Sequence, residues 1–360
     1  MSLRSFFTSL LFPWTAARSH SSRPRPGGFT FEAAWANLLG KLALPPSALR
    51  DVVEADSLHP HFHYRHFTKP KRDGGRREIA APDVKLKRVQ HEIIARHFRN
   101  QEPHPAALAY RKGRSTADHA WAHAGADLLI TADVEDFFPS TREWRIEQWW
   151  RQRVEDDLAR LLTRLTTYRG GLPQGAPTSP GLSNFVNHEL DDRLTQRAEA
   201  AGGRYTRYCD DLAFSWRQGT EPPSDFEAGV RAVLHEYGYT LHPEKGWRVQ
   251  YRRDEPEVVG VILTRNGHVR LPDDLRRTMR TLARSGDPRD IDRLAGYRGY
   301  EAMIARPPAK RKRGTDQRSR GKRRRGQNES VRNLSRSQLD LRGTTTETDP
   351  DTSSGEDIPF

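Results

Sequence analysis

The chain has 360 residues, enough for one large catalytic core or two to three small domains, and its 60 Lys and Arg against 47 Asp and Glu give a formal charge of +13. The excess points to a polyanionic partner but is uneven: residues 310–325 hold ten basic residues and one acid, or +9, which leaves +4 for the rest. The single cysteine, Cys209, excludes an internal disulfide and a zinc knuckle, and no apolar run approaches the roughly 20 residues of a bilayer span, so a cytoplasmic protein with no membrane partner is expected.

Residues 1–28, rich in Ser, Arg and Pro, read as a flexible N-terminal arm that only superficially imitates a transit segment. Phe31, Trp35, Leu38 and Leu39 then take helical spacing, and His59, His61 and His63 alternate along one strand face as solvated or RNA-facing side chains. "YRHFTKPKRDGGRREIAAP" reads as a basic hairpin turning at Asp73-Gly74-Gly75, followed by a helix that buries Leu86, Val89 and Ile93. His119 and His123 stand at i, i+4 spacing without a third metal ligand, which assigns them to structure or RNA contact.

"ADLLITADVEDFFPS" carries Leu128, Leu129 and Ile130 in an uninterrupted run, the pattern of a strand covered on both faces, with Asp133 at its far end. "GGLPQGAPTSPGLSNFVNHELDDRL" begins as a Gly/Pro loop and becomes one helix, with Ser179 as N-cap, Pro180 opening it, and Leu182, Phe185, Val186, Leu190 and Leu194 as its apolar stripe. "RYCDDLAFSW" is a hairpin with Asp210 and Asp211 both in its turn. A helix over "FEAGVRAVLHEYG", a second hairpin turning at Asn266-Gly267, and two helices within 273–305 follow. The order implies an α+β fold, an antiparallel sheet with helices on one face, and from residue 307 onward a composition that cannot bury enough apolar area to order.

Two adjacent acids at a hairpin tip repel one another. If Asp133 ends the neighbouring strand, three carboxylates converge, and hard divalent cations are the natural answer to their repulsion. Two such ions about 3.5–4 Å apart can activate an attacking hydroxyl and stabilise a leaving pyrophosphate.

The ordered set "DVEDFF", "LPQGAPTSPGLSN", "RYCDDLAFS" and "GYTLHPEKG" resembles the successive palm motifs of reverse transcriptases, and "KPKRDGGRREIAAP" resembles their fingers segment, so the likeness spans roughly residues 60–300. The short length and the "PTSP" after Gln174-Gly175 resemble the bacterial retron type. There the family usually shows Asn-Ala-x-x-His and Val-Thr-Gly, where this chain has "HAWAH", with His119 first, and "VVG", with Val259 central.

The resemblance implies a right-hand polymerase with a ferredoxin-like antiparallel palm sheet. Its implied parts are N-terminal helices and fingers over 29–125, a palm over 126–265 with a helical fingers insertion at about 142–170, a small helical thumb over 266–306, and a disordered basic and acidic tail over 307–360. It implies Asp133, Asp210, Asp211 and the Val134 carbonyl as ligands of two Mg²⁺ ions, with Mn²⁺ as the alternative, and Lys245 as the group that protonates pyrophosphate. Lys71, Arg72, Arg77 and Gln174 would hold the dNTP, Phe138 would exclude a ribose 2′-hydroxyl, and Arg111, Lys112, Arg114 and His123 would contact RNA. The implied partners are an RNA template, the RNA–DNA hybrid, a structured noncoding RNA and an effector protein of phage defence. An inactive RNA-binding scaffold and an untemplated DNA polymerase are the alternatives.

Overall fold

The computed structural model describes residues 63–70, 75–217 and 219–307. All belong to one of the chain's two units, residues 1–307. The expected N-terminal arm, the helix near Trp35, His59, His61, Lys71, Arg72, the Asp73-Gly74 turn and the C-terminal tail from Pro308 lie outside the described residues.

Strands β1 (Tyr64–Pro70) and β2 (Arg76–Pro82) form the expected hairpin, with Lys69 paired to Arg77. Asp83 then caps α1 (Val84–Ile93), its carboxylate accepting from the Leu86 amide at 2.8 Å, and α1 buries Leu86, Val89 and Ile93 as the spacing requires. A π-helical turn, Ile94–Phe98, continues it. Next come α2 (Thr116–His123), closed by a Ser115/Asp118 capping box, and the central strand β3 (Leu128–Asp133). After a single turn, α3 (Phe137–Ser140), come the helices α4 (Glu143–Arg151) and α5 (Asp156–Thr166).

The single helix expected after the Gly/Pro loop is instead two, α6 (Ser179–Val186) and α7 (His188–Ala200), broken at Asn187. The break is held by buried polar bonds: the Asn187 amide donates to the Ser183 carbonyl at 2.8 Å and accepts from Arg145 Nη2 at 2.8 Å. Thr178, not Ser179, is the N-cap residue, and Ser179 donates to the Pro173 carbonyl at 2.7 Å. Strands β4 (Arg204–Tyr208) and β5 (Asp211–Trp216) make the acidic hairpin, α8 (Phe226–Glu236) follows, and β6 (Arg248–Tyr251) pairs with β3.

The main sheet has the order β4-β5-β3-β6 with every neighbour antiparallel. One face, carrying Leu128, Ile130, Leu212, Phe214 and Trp216, packs on α7 and α8. The expectation that helices cover one face only is corrected by the other face, where Leu129 and Ala213 meet α2, a small sheet and two further helices. That small sheet is β7 (Glu257–Val258), β8 (Val261–Leu263) and β9 (Val269–Arg270), with the anticipated turn at Gly267 (φ +76°). The helices are α9 (Asp273–Leu282) and α10 (Pro288–Ala305), the two expected within 273–305. The result is a mixed helix and antiparallel-sheet fold. A separate core of Trp149, Trp150, Leu162, Phe185 and the α1 stripe holds α1, α4, α5 and α6 together.

Candidate active site

β3 and β5 pair so that Asp133 lies directly opposite Asp211. Opposite residues of an antiparallel pair share a face with Cβ atoms about 4.5–5.5 Å apart, and like charges there are destabilising. Asp210 adds a third carboxylate from the turn, and its carbonyl accepts from the Val134 amide at 3.0 Å. Only part of the expected turn is observed: Tyr208 pairs with Asp211, so the two-residue turn is Cys209-Asp210 and Asp211 already belongs to the strand. Cys209 takes the first turn position with φ +62°, a place that favours glycine in this kind of hairpin. The turn thus carries local strain beside its acids.

Burial, reinforced by Asp210 and Asp133 and opposed by Lys245, pushes the Asp211 carboxyl up to about 8. The same pattern places the Lys245 ammonium in the field of the acids. Lys245 is seated by a tight turn in which the Glu244 and Lys245 amides both donate to His242 Nδ1, at 3.2 and 3.3 Å. Gly246 is required there, since a Cβ would stand 2.2 Å from the His242 carbonyl oxygen. The His242 amide in turn donates to the Asp133 carbonyl at 2.8 Å, tying this segment to the end of β3.

Among the described residues no three His, Cys, Asp or Glu side chains stand arranged so that they could hold a metal ion by themselves. The donor set is nonetheless what a hard divalent cation takes, oxygen from mutually repelling carboxylates, and an ion would relieve the repulsion that raises Asp211. A carboxyl whose folded pKa exceeds its unfolded value near 4 binds more protons when folded, so its contribution to stability falls as pH climbs from about 4 to about 8. In EDTA, the Tm of the wild type is therefore expected to drop more between about pH 5 and about pH 8 than that of Asp211→Asn. Parallel Tm profiles would remove the strained-carboxylate assignment.

The Gly/Pro loop and the basic hairpin meet each other. The Ala80 amide donates to the Gln174 carbonyl at 2.9 Å. The Gln174 side-chain amide faces the Glu78 carbonyl at 3.1 Å and Arg77 Nε at 3.3 Å. Gly175 sits at φ +131°, and a Cβ would lie 2.9 Å from the Ile79 side chain, so only glycine lets the loop press on β2. The Leu172 amide donates to the Phe138 carbonyl at 3.1 Å, linking the loop to the segment after Asp133. Phe137 is buried and stacks on Tyr239, whereas Phe138 is only partly buried.

Two contributors were missed in the sequence. Tyr110, at φ +59° and 51% exposed, bonds the Cys209 sulfur through its hydroxyl at 3.0 Å, and its ring centroid lies 6.2 Å from that of Phe138. It arrives on a segment that pairs with β4 through Ala107 and Arg207, a contact that no local pattern announces. Arg207 and Asp191 are the second, a fully buried ion pair with Arg207 Nε and Nη2 at 2.8 and 2.6 Å from the carboxylate. Arg207 Nη1 also donates to the Cys209 carbonyl at 3.2 Å, holding the acidic turn from below.

Of the expected RNA contacts, Lys112 is exposed, Arg111 donates to the His104 and Ala107 carbonyls, and Arg114 pairs with Asp118. His123 is corrected: it is 1% exposed, its ring nitrogens face Ser215 and Thr206 at 2.7 Å each, and burial holds it well below the usual imidazole range. It braces the sheet and faces no solvent. His63 is likewise buried rather than solvated, bonded to Asp83 at 2.7 Å.

The family described as "Reverse transcriptase (RNA-dependent DNA polymerase)" matches residues 69–263. Among curated proteins the chain is 33% identical to the retron Mx162 reverse transcriptase of Myxococcus xanthus, over 78% of this chain and 65% of that one. It is 34% identical to the Mx65 retron enzyme of the same organism, covering 56% and 51%, and 33% identical to the Ec86 retron enzyme of Escherichia coli, covering 56% and 64%. The chain thus spans between half and two thirds of the length of these relatives. No helix among the described residues is long and apolar enough to cross a membrane.

Proposed function

The chain belongs to the reverse transcriptase family, and from that premise we propose that it is a retron-type RNA-directed DNA polymerase. It extends a primer hydroxyl with dNTPs on an RNA template and, in the retron setting of its relatives, makes RNA-linked single-stranded DNA from a structured noncoding RNA in phage defence. The observation that carries this reading is the cross-strand register of Asp133 and Asp211 with Asp210 in the adjoining turn. Residues 126–265 act as palm, 29–125 with the 142–170 insertion as fingers, and 266–306 as thumb.

Asp133 and Asp210, with Asp211 and the Val134 carbonyl, would hold two Mg²⁺ or Mn²⁺ ions, which supply Lewis-acid activation of the primer hydroxyl and charge neutralisation at the departing pyrophosphate. Arg77 presents a guanidinium matched to the triphosphate, and Lys71 and Arg72 complete the grip. Gln174 positions the nucleotide against β2. Lys245, already in the field of the acids, delivers a proton to pyrophosphate oxygen. Phe138 closes the space beside the sugar 2′-carbon.

Truncating Phe138 to Ala is expected to raise ribonucleotide incorporation about ten- to a hundred-fold, the range that one pocket contact controls. Single-nucleotide insertion with rNTP against dNTP measures it, and unaltered sugar discrimination removes the gate role. Purified protein, RNA template, primer, Mg²⁺ and labelled dNTPs test the function itself. Template-dependent extension supports it, extension without template reassigns the protein as an untemplated polymerase, and tight RNA binding without extension makes it a scaffold.

A further inference from the structure

A cleft of about 890 Å³ opens between the π-helical turn after α1 and the loop joining α4 to α5, lined among others by Arg96, His97, Arg151, Arg153 and Glu155. None of the residues assigned above to metal, nucleotide or pyrophosphate lines it. Three guanidiniums face one acid. Arg96 and Arg151 each have a carboxylate on their own helix, Glu92 at 3.6 Å and Glu147 at 2.6 Å. Such exposed pairs are weak and exchange readily for a phosphate.

Arg153 differs. Its guanidinium carbon lies over Trp149, 4.1 Å from the ring centroid, and it donates to the Trp149 carbonyl at 2.8 Å and Gln101 at 3.1 Å. Among the described residues it has no carboxylate partner. A guanidinium fixed by stacking and neutral hydrogen bonds, with no counter-ion, is preorganised for an anion. Beneath it, His97 Nε2 and Trp150 Nε1 are enclosed with no hydrogen-bond partner among the described residues, and the two rings meet edge to face at 5.4 Å. Unmet polar groups under a basic cleft, on a π-helical turn, are features of a site rather than of plain packing.

The charge continues along α1. Residues 84–99 hold five Lys or Arg and one Asp or Glu. Lys85 and Arg88 are exposed at i, i+3 on the face that runs through Glu92 to Arg96, a stripe about 16 Å long at the rise of an α-helix. A small anion needs only the cleft, whereas an open cleft prolonged by a basic stripe suits a chain of phosphates.

We propose that this cleft and the α1 stripe form a second RNA-backbone site, separate from the polymerisation site, that grips the RNA outside the primer–template helix. The identity of the polyanion rests on the polymerase reading; the anion site itself does not.

The test measures binding of a fluorescein-labelled RNA hairpin with single-stranded flanks to the full chain across a salt series. It compares wild type with Arg96→Gln/Arg153→Gln and with the surface variant Lys85→Glu/Arg88→Glu, which replaces two exposed side chains. Each lost phosphate contact should shallow the slope of log K against log salt by about 0.7–0.9, so each double variant should lose roughly 1.5, with extension of a short preformed primer–template unchanged. Unchanged slopes in both variants overturn the proposal, including when inorganic phosphate alone still binds the wild type. Loss of slope in a protein that extends no primer sinks the polymerase reading and leaves this surface standing, whereas normal extension with unchanged slopes sinks the surface alone.

Discussion

Replacing Asp210 by alanine is expected to reduce primer extension by at least about three orders of magnitude, since each decade is about 1.4 kcal/mol of lost transition-state stabilisation and metal-held charge supplies several. The same substitution should leave the fold intact. What the turn uses from Asp210 is its carbonyl, which accepts from the Val134 amide at 3.0 Å, and alanine keeps that carbonyl. The side chain contributes repulsion instead, being one of the charges that raise the Asp211 carboxyl. In EDTA the variant should therefore melt at or above the wild-type temperature, so that inactivity with undiminished stability separates a metal ligand from a structural acid. Extension within about ten-fold of wild type would remove Asp210 from the reacting centre.

The second large effect concerns stability. Asp191 on α7 is fully buried, accepts from the Tyr205 hydroxyl at 2.9 Å, and faces Arg207 on β4 with two bonds. Burial alone would lower the Arg207 guanidinium, but the Asp191 charge outweighs it and raises it above the usual arginine range. Asp191→Ala leaves a buried cation without compensation, which costs about 3–5 kcal/mol, or on the order of 10 °C in Tm for a domain of this size. Chemical denaturation at fixed pH measures it. A double replacement by apolar side chains, Asp191→Leu with Arg207→Met, should recover much of the loss, because it removes the unpaired charge along with its partner. A loss below about 1 kcal/mol for Asp191→Ala would mean that water or another group reaches Arg207. Because Arg207 also holds the Cys209 carbonyl at 3.2 Å, activity should fall further than the folded fraction does.

Local patterns revealed the parts of the site that depend on them. The apolar run of β3 marked a strand buried on both faces, and Leu86, Val89 and Ile93 marked α1. The ordered motifs singled out Asp133, Asp210 and Asp211 as candidates, and the register of β3 with β5 sets Asp133 opposite Asp211. What stayed hidden is long-range and polar. The choice between structure and RNA contact for His123 stayed open because its partners, Thr206 and Ser215, come from strands 83 and 92 residues away. Tyr110 reaches Cys209 across 99 residues of sequence. The break at Asn187 is set by Arg145 and Tyr239, 42 and 52 residues distant, while the apolar stripe runs through it unbroken. The turn position was misread by one residue because hairpin rules favour glycine where the chain places Cys209, so strain at this site disguises the true turn.

Diffraction at the manganese edge from the protein with primer–template, a non-hydrolysable dNTP and Mn²⁺ addresses the central claim most directly. Anomalous peaks are expected within about 2.5 Å of carboxylate oxygens from both Asp133 and Asp210. A fully loaded complex in which manganese avoids these two side chains would contradict the account.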